Sequence, residues 1–154
     1  MGLDIYFHKS ARRNWETYNR DQKKFNELPK EERDKASANE ATPSEIFYKK
    51  APEIGYFRKV NFLMQFFDYE GNCEYKVIDR SELEELQSRC NRVLNHKDDK
   101  ELAASLLPPQ AGFFFGNTDI NEYYYGDVKE VRDWVDKVLE ELADDEVVLM
   151  YAWW

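Results

Sequence analysis

LLPPQAGFFFGNTDINEYYYGD, residues 106–127, sets a diproline, three glycines, three consecutive phenylalanines and three consecutive tyrosines around the polar run Asn117-Thr118-Asp119. No other stretch places so much aromatic surface between so many backbone punctuators. Its pattern predicts a short buried strand over Gly112 to Gly116, then a tight polar turn, then the last long helix, with Asp127 as cap and Glu130 three residues on. The rest of the chain is expected to wrap around that corner.

Outward from it, Val128, Val131, Trp134, Val135, Val138, Leu139 and Leu142 recur at helical spacing. Val147 to Trp154 reads as a strand that needs a sheet. At the other end, Leu3, Ile5 and Phe7 alternate with Asp4, Tyr6 and His8, a strand with one apolar face. Pairing these two strands would tie both chain ends into one sheet. Between them, helices are expected over about 10–28, ended by Pro29, and from Thr42-Pro43-Ser44-Glu45, where Glu45 can reach back in a capping box. Tyr56, Val60, Leu63 and Phe67 suggest a central helix from about Pro52 to Tyr69. A short strand over Cys73 to Ile78 follows, with Tyr75 and Val77 on one side. Asp79 with Glu82, or Ser81 with Glu84, then opens a helix through Leu83, Leu86, Cys90, Val93 and Leu94. The run KEERDKASANEA, residues 30–41, has no large apolar residue and is expected to be the least ordered part, as a helical turn or a loop. The expectation is a single α+β domain over 1–154: a small, mainly antiparallel sheet that includes the N- and C-terminal strands, covered by three to four helices.

A chain of 154 residues is long enough to bury roughly 70% of its unfolded surface without staples. A net charge of −9 argues against general nucleic-acid binding, which needs a basic stripe for phosphates. No segment holds the roughly 20 apolar residues of a membrane span, and no signal peptide is recognised, so a cytoplasmic location is expected. Cys73 and Cys90 lack metal-ligand spacing; Cys90 falls on a helix's apolar stripe as a buried thiol, and a Cys73–Cys90 disulfide stays open.

Phosphate-loop, zinc-protease, redox-dithiol and nucleophile-elbow motifs are all missing, so no catalytic residue, cofactor or metal is assigned. Asp119, Glu122 and Asp127 do not have the alternating oxygens of a calcium loop. Binding residues are easier to nominate. Asp4, Tyr6 and His8 share one strand face, which could line a site or simply meet solvent. Arg58 and Lys59 could meet an anion, or pair with a carboxylate. Asn117, Thr118 and Asp119 form the polar turn, and Tyr123, Tyr124 and Tyr125 cannot all point inward from one short element. The aromatic residues are otherwise core.

Met1-Gly2-Leu3-Asp4-Ile5-Tyr6, Gly55-Tyr56-Phe57-Arg58-Lys59, Gly71-Asn72-Cys73, Gly112-Phe113-Phe114-Phe115-Gly116-Asn117-Thr118 and the aromatic end Tyr151 to Trp154 are spread over most of the chain. As a set they resemble a family of bacteriophages and bacterial genomes, without established activity, whose members typically begin Met-Gly-Leu-Asp-Met-Tyr. Ile5 stands where that family carries Met, and Ala152 and Trp153 where it carries serines. Against that pattern, about 11–44 is a charged insertion. The resemblance implies a phage or mobile-element setting. The first functional expectation is therefore a non-enzymatic phage-type accessory protein that binds a protein partner in the host cytoplasm, as an antagonist of a host defence system. The alternative is a binder of, or enzyme on, a small nucleotide-like anionic ligand, using Tyr6, His8, Arg58, Lys59 and the Asn117–Asp119 turn.

Overall fold

The structure is a computed structural model that describes residues 2–154. Its frame is a four-stranded antiparallel sheet of β1 (Asp4–Ala11), β2 (Glu53–Arg58), β3 (Tyr75–Ile78) and β4 (Glu146–Trp153), in the order β2-β1-β4-β3. The expected α+β fold with both chain ends in the sheet is therefore present. The helical cover is more divided than expected: α1 (Arg12–Asn26), α5 (Arg80–Asn95) and α7 (Glu122–Glu141) are long, while α2 (Lys30–Ala38), α3 (Pro43–Lys50), α4 (Phe62–Phe66) and α6 (Lys100–Leu106) are short. Among the described residues, no helix is long and apolar enough to cross a membrane.

Alternation assigns each sheet face. Leu3, Ile5, Phe7, Phe57, Ile78, Val148, Met150 and Ala152 point to one side, into a core with α4, α5 and α7. α5 and α7 run antiparallel beneath it: Arg80, at the start of α5, donates to the carbonyls of Leu139 and Leu142 at the end of α7, which otherwise lack intrahelical partners. The Trp134 ring of α7 lies tilted against Phe7, 4.4 Å between centroids, and its Nε1 donates to Ile54 O at 2.8 Å. A Cβ on Gly55 would lie 2.5 Å from that nitrogen, so glycine is what lets the helix seat on β2. On the other face, Val147, Leu149, Val77 and Tyr75 meet Phe47 and Ala51 from the α3 region and Trp15 and Tyr18 of α1.

Three expectations fail for identifiable reasons. The helix over Pro52 to Tyr69 is instead β2 followed by the short α4. Tyr56 and Phe57 face opposite sides of the sheet, and Lys59, in the left-handed region at φ 58, ends the strand while its N–H donates to Leu3 O at 2.8 Å. Gly112 to Gly116 is a turn, not a buried strand: Phe115 is buried, but Phe113 is 94% exposed. Its backbone is held by the buried Asn61, whose Nδ2 donates to Phe115 O and Asn117 O, each at 3.0 Å, and whose Oδ1 accepts from Gln110 N–H at 3.1 Å. The last helix is capped by Asn121, which accepts from the Tyr123 and Tyr124 N–H groups, so Asp127 lies inside α7 rather than at its start. The charged run takes the helical one of its two expected forms: most of it is α2, a helix without a single buried residue. The two cysteines are free, Cys73 exposed and Cys90 buried.

Phe7 contacts Phe57, Phe67 and Trp134 at the centre of this packing. Phe7→Ala should cost about 3–5 kcal/mol in urea unfolding, whereas Ile46→Ser, at an exposed position of α3, should change stability by no more than about 0.5 kcal/mol.

Candidate functional site

The strand register lines up one residue type across the whole sheet. Tyr56 of β2 faces Tyr6 of β1, Tyr6 faces Tyr151 of β4, and Tyr151 faces Tyr75 of β3. Because side chains alternate, all four rings lie on the face opposite the main core. The outer pairs are in ring contact, Tyr6–Tyr56 at 5.0 Å and Tyr75–Tyr151 at 5.2 Å between centroids. To one side of this row, His8, Leu149 and Val77 are covered by α1 and α3. To the other side lie Asp4, Arg58 and Trp153, with Trp153 40% and Tyr56 46% exposed. The helices thus cover half of the face and leave the other half open.

Asp4, Tyr6 and His8 do share one face, but it is not a solvent face: Asp4 and His8 are buried. Asp4 Oδ1 accepts from Tyr56 Oη at 2.5 Å and from Arg58 at 2.9 Å. The Tyr56 hydroxyl titrates above its ordinary range, first because it donates to that carboxylate. Arg58 is therefore already committed to an ion pair, half exposed on its outer side. His8 Nδ1 lies 2.9 Å from Ala51 O. A carbonyl can only accept, so Nδ1 carries a proton, and Nε2 is the ring nitrogen without a protein partner.

Where the tyrosine row meets α3, a cavity of about 630 Å³ opens, lined by Tyr6, His8, Tyr75 and Tyr151 from the sheet and by Glu40, Ser44, Glu45, Tyr48 and Lys49 from the α3 side. Burial pushes the Tyr75 hydroxyl up to about 12, and Tyr151 is raised by burial and then by its hydrogen bond with Cys73. These rings are thus neutral walls.

A second, smaller cavity of about 220 Å³ gathers Arg58, Lys59, Asn117, Asp119, Tyr123 and Tyr124 with Asn61, Gly116, Asn121 and Asp127. The residues nominated from sequence therefore divide. Tyr6 and His8 belong to the large cavity, and most of the remainder to the small one. Thr118 is exposed and lines neither cavity, and Tyr125 is half-buried on α7 with its hydroxyl unpartnered. Tyr124 points inward, with its hydroxyl donating to Leu107 O at 2.8 Å. Sequence reading missed Glu45, Tyr48, Tyr75 and Tyr151 as site residues. The strands bearing Tyr75 and Tyr151 were legible, but only a register puts the two rings beside Tyr6.

No protein family, curated protein or solved structure matches this chain.

Asp127 in the small cavity is pushed up to about 6, by burial first and then by the charge of Glu130. A carboxyl raised on folding contributes its stability below its unfolded pKa, and that contribution is lost as pH rises through the folded one. The wild-type protein should therefore lose stability relative to Asp127→Asn between about pH 4 and 6. Paired urea titrations at pH 4 and pH 7 would show the variant gaining on the wild type only at the higher pH.

Proposed function

We propose that this protein acts by non-enzymatic binding to a protein partner, through the open half of the sheet face. The observation that carries this reading is the row of tyrosines across all four strands, flanked by the half-exposed Trp153. Tyrosine and tryptophan give large, rigid contact area at low conformational cost, and such residues dominate binding hot spots. Aromatic sheet faces also stack single-stranded bases, but those carry a basic groove for the backbone. Here the net charge is −9, and Arg58 beside the row is neutralised by Asp4. The resemblance to the phage and bacterial family supports seeking the partner in a bacterial host. Antagonism of a host defence system, in the host cytoplasm, is the role we propose in that setting.

The test is affinity purification from host lysate, with cross-linking to locate the contact. The wild type and Glu84→Ala, on the exposed side of α5, should retain the same partner. Trp153→Ala should lose it, because truncation of an aromatic anchor costs about 2 kcal/mol or more. Retention by Trp153→Ala, with cross-links elsewhere, would refute the reading.

The convergence of Arg58, Lys59 and Asn117 on one small cavity supports a second reading, a small nucleotide-like anion. Asp119 and Asp127 line the same cavity and oppose it electrostatically. A nucleotide that raises Tm in the wild type and not in Lys59→Gln would establish this reading; an unchanged Tm across nucleoside mono-, di- and triphosphates would remove it.

A further inference from the structure

Thr42-Pro43-Ser44-Glu45 has the spacing of a capping box, in which the glutamate should return a hydrogen bond to the backbone of the cap. Half of the box forms: Thr42 Oγ1 accepts from Glu45 N–H at 3.2 Å. The return bond does not. Glu45 lines the large cavity instead, and its Oε2 is buried without a hydrogen-bond partner. A buried carboxylate oxygen without a donor is costly, and the cost is relieved when the carboxylate turns to a donor that enters the cavity.

The other groups of that cavity ask for the same visitor. The rings of Tyr6, Tyr48, Tyr75 and Tyr151 line it, and aromatic faces are negative poles that attract cations. Glu40 adds a second carboxylate. His8 donates from Nδ1 to Ala51 O and also lines the cavity. Lys49 is the one cation in the lining; it is exposed and makes no ion pair within 4.0 Å among the described residues. A volume of about 630 Å³ is that of an ordinary ligand pocket, with room for a long side chain and its flanking backbone.

We infer that this cavity receives an arginine side chain presented by the protein partner, with the guanidinium stacked against the tyrosines and donating to Glu45. The inference rests on the protein-binding reading above and gives the partner a chemistry: a basic segment approaching an acidic protein. Arginine is favoured over lysine because its planar group stacks on rings and presents several donors at once to a carboxylate, whereas an ammonium is compact and more strongly hydrated.

The test uses the full chain, isotopically labelled, titrated by NMR with N-acetyl-arginine amide, N-acetyl-lysine amide and the neutral isostere N-acetyl-citrulline amide. Arginine amide should give saturable shifts at Glu45, Tyr48, Tyr75 and Tyr151, and citrulline amide should bind at least about tenfold more weakly. Glu45→Gln should weaken arginine binding by about tenfold or more, while Lys49→Ala should strengthen it, because a competing cation is removed. Lys49 is exposed and Glu45 half-buried on α3, and each variant's unperturbed spectrum would report an intact fold. Equal binding of citrulline, tighter binding of lysine, no saturable shift, or the reverse signs at Glu45 and Lys49 would each overturn the inference. A failure here that leaves Trp153-dependent capture intact discards the arginine and keeps the binding face. Capture that survives Trp153→Ala discards the binding face, whatever arginine does.

Discussion

Asp4 opposite Trp153 at one end and Ala11 opposite Glu146 at the other make the pairing of β1 with β4 the constraint on which the molecule depends. The ladder is eight residues long on each strand and has no exposed side in its middle: Phe7 and Met150 are buried below it, His8 and Leu149 above. A slip by one residue would turn Asp4, Tyr6 and His8 into the aliphatic core and Leu3, Ile5 and Phe7 out of it. The register is thus fixed from both faces at once. β2 and β3 are then added at the edges, and each inherits its alignment from a strand already fixed.

The binding face is a by-product of how that sheet is covered. α5 and α7 span the core face with stripes of Leu83, Leu86, Val93, Val128, Val131 and Val135. The opposite face is served by α1, which buries no residue completely, and by α3, which buries only Phe47. So light a layer reaches from Val147 to the tyrosine row and stops. Beyond it the sheet presents Tyr56, Trp153 and the Asp4–Arg58 pair, polar enough to tolerate water and apolar enough to gain from losing it.

Much of this architecture is legible in the chain itself. The alternation of Leu3, Ile5 and Phe7, the aliphatic run from Val147, and the stripes of α5 and α7 are long, periodic signals that tertiary context did not override. Val60, Leu63 and Phe67 misled because a buried short helix next to a strand mimics one long amphipathic helix when its apolar residues happen to share a period. The Phe113–Phe115 run misled for another reason. Residue type says that three phenylalanines want burial, but the carbonyls around them are claimed by Asn61, forty-nine or more residues away, and the resulting turn has room for only Phe115. The site was half legible: Tyr6 and His8 could be nominated from one strand, but their neighbours in the cavity come from β3, β4 and α3, which no local pattern relates.

The order of strands in space also differs from their order along the chain. β4 stands between β1 and β3, yet it follows both of them along the chain. Until β4 docks, β3 has no neighbour to pair with, and β1 has one edge unfilled. Contacts separated by almost the whole chain must close before the sheet exists, which slows folding and exposes aromatic strands in the interval.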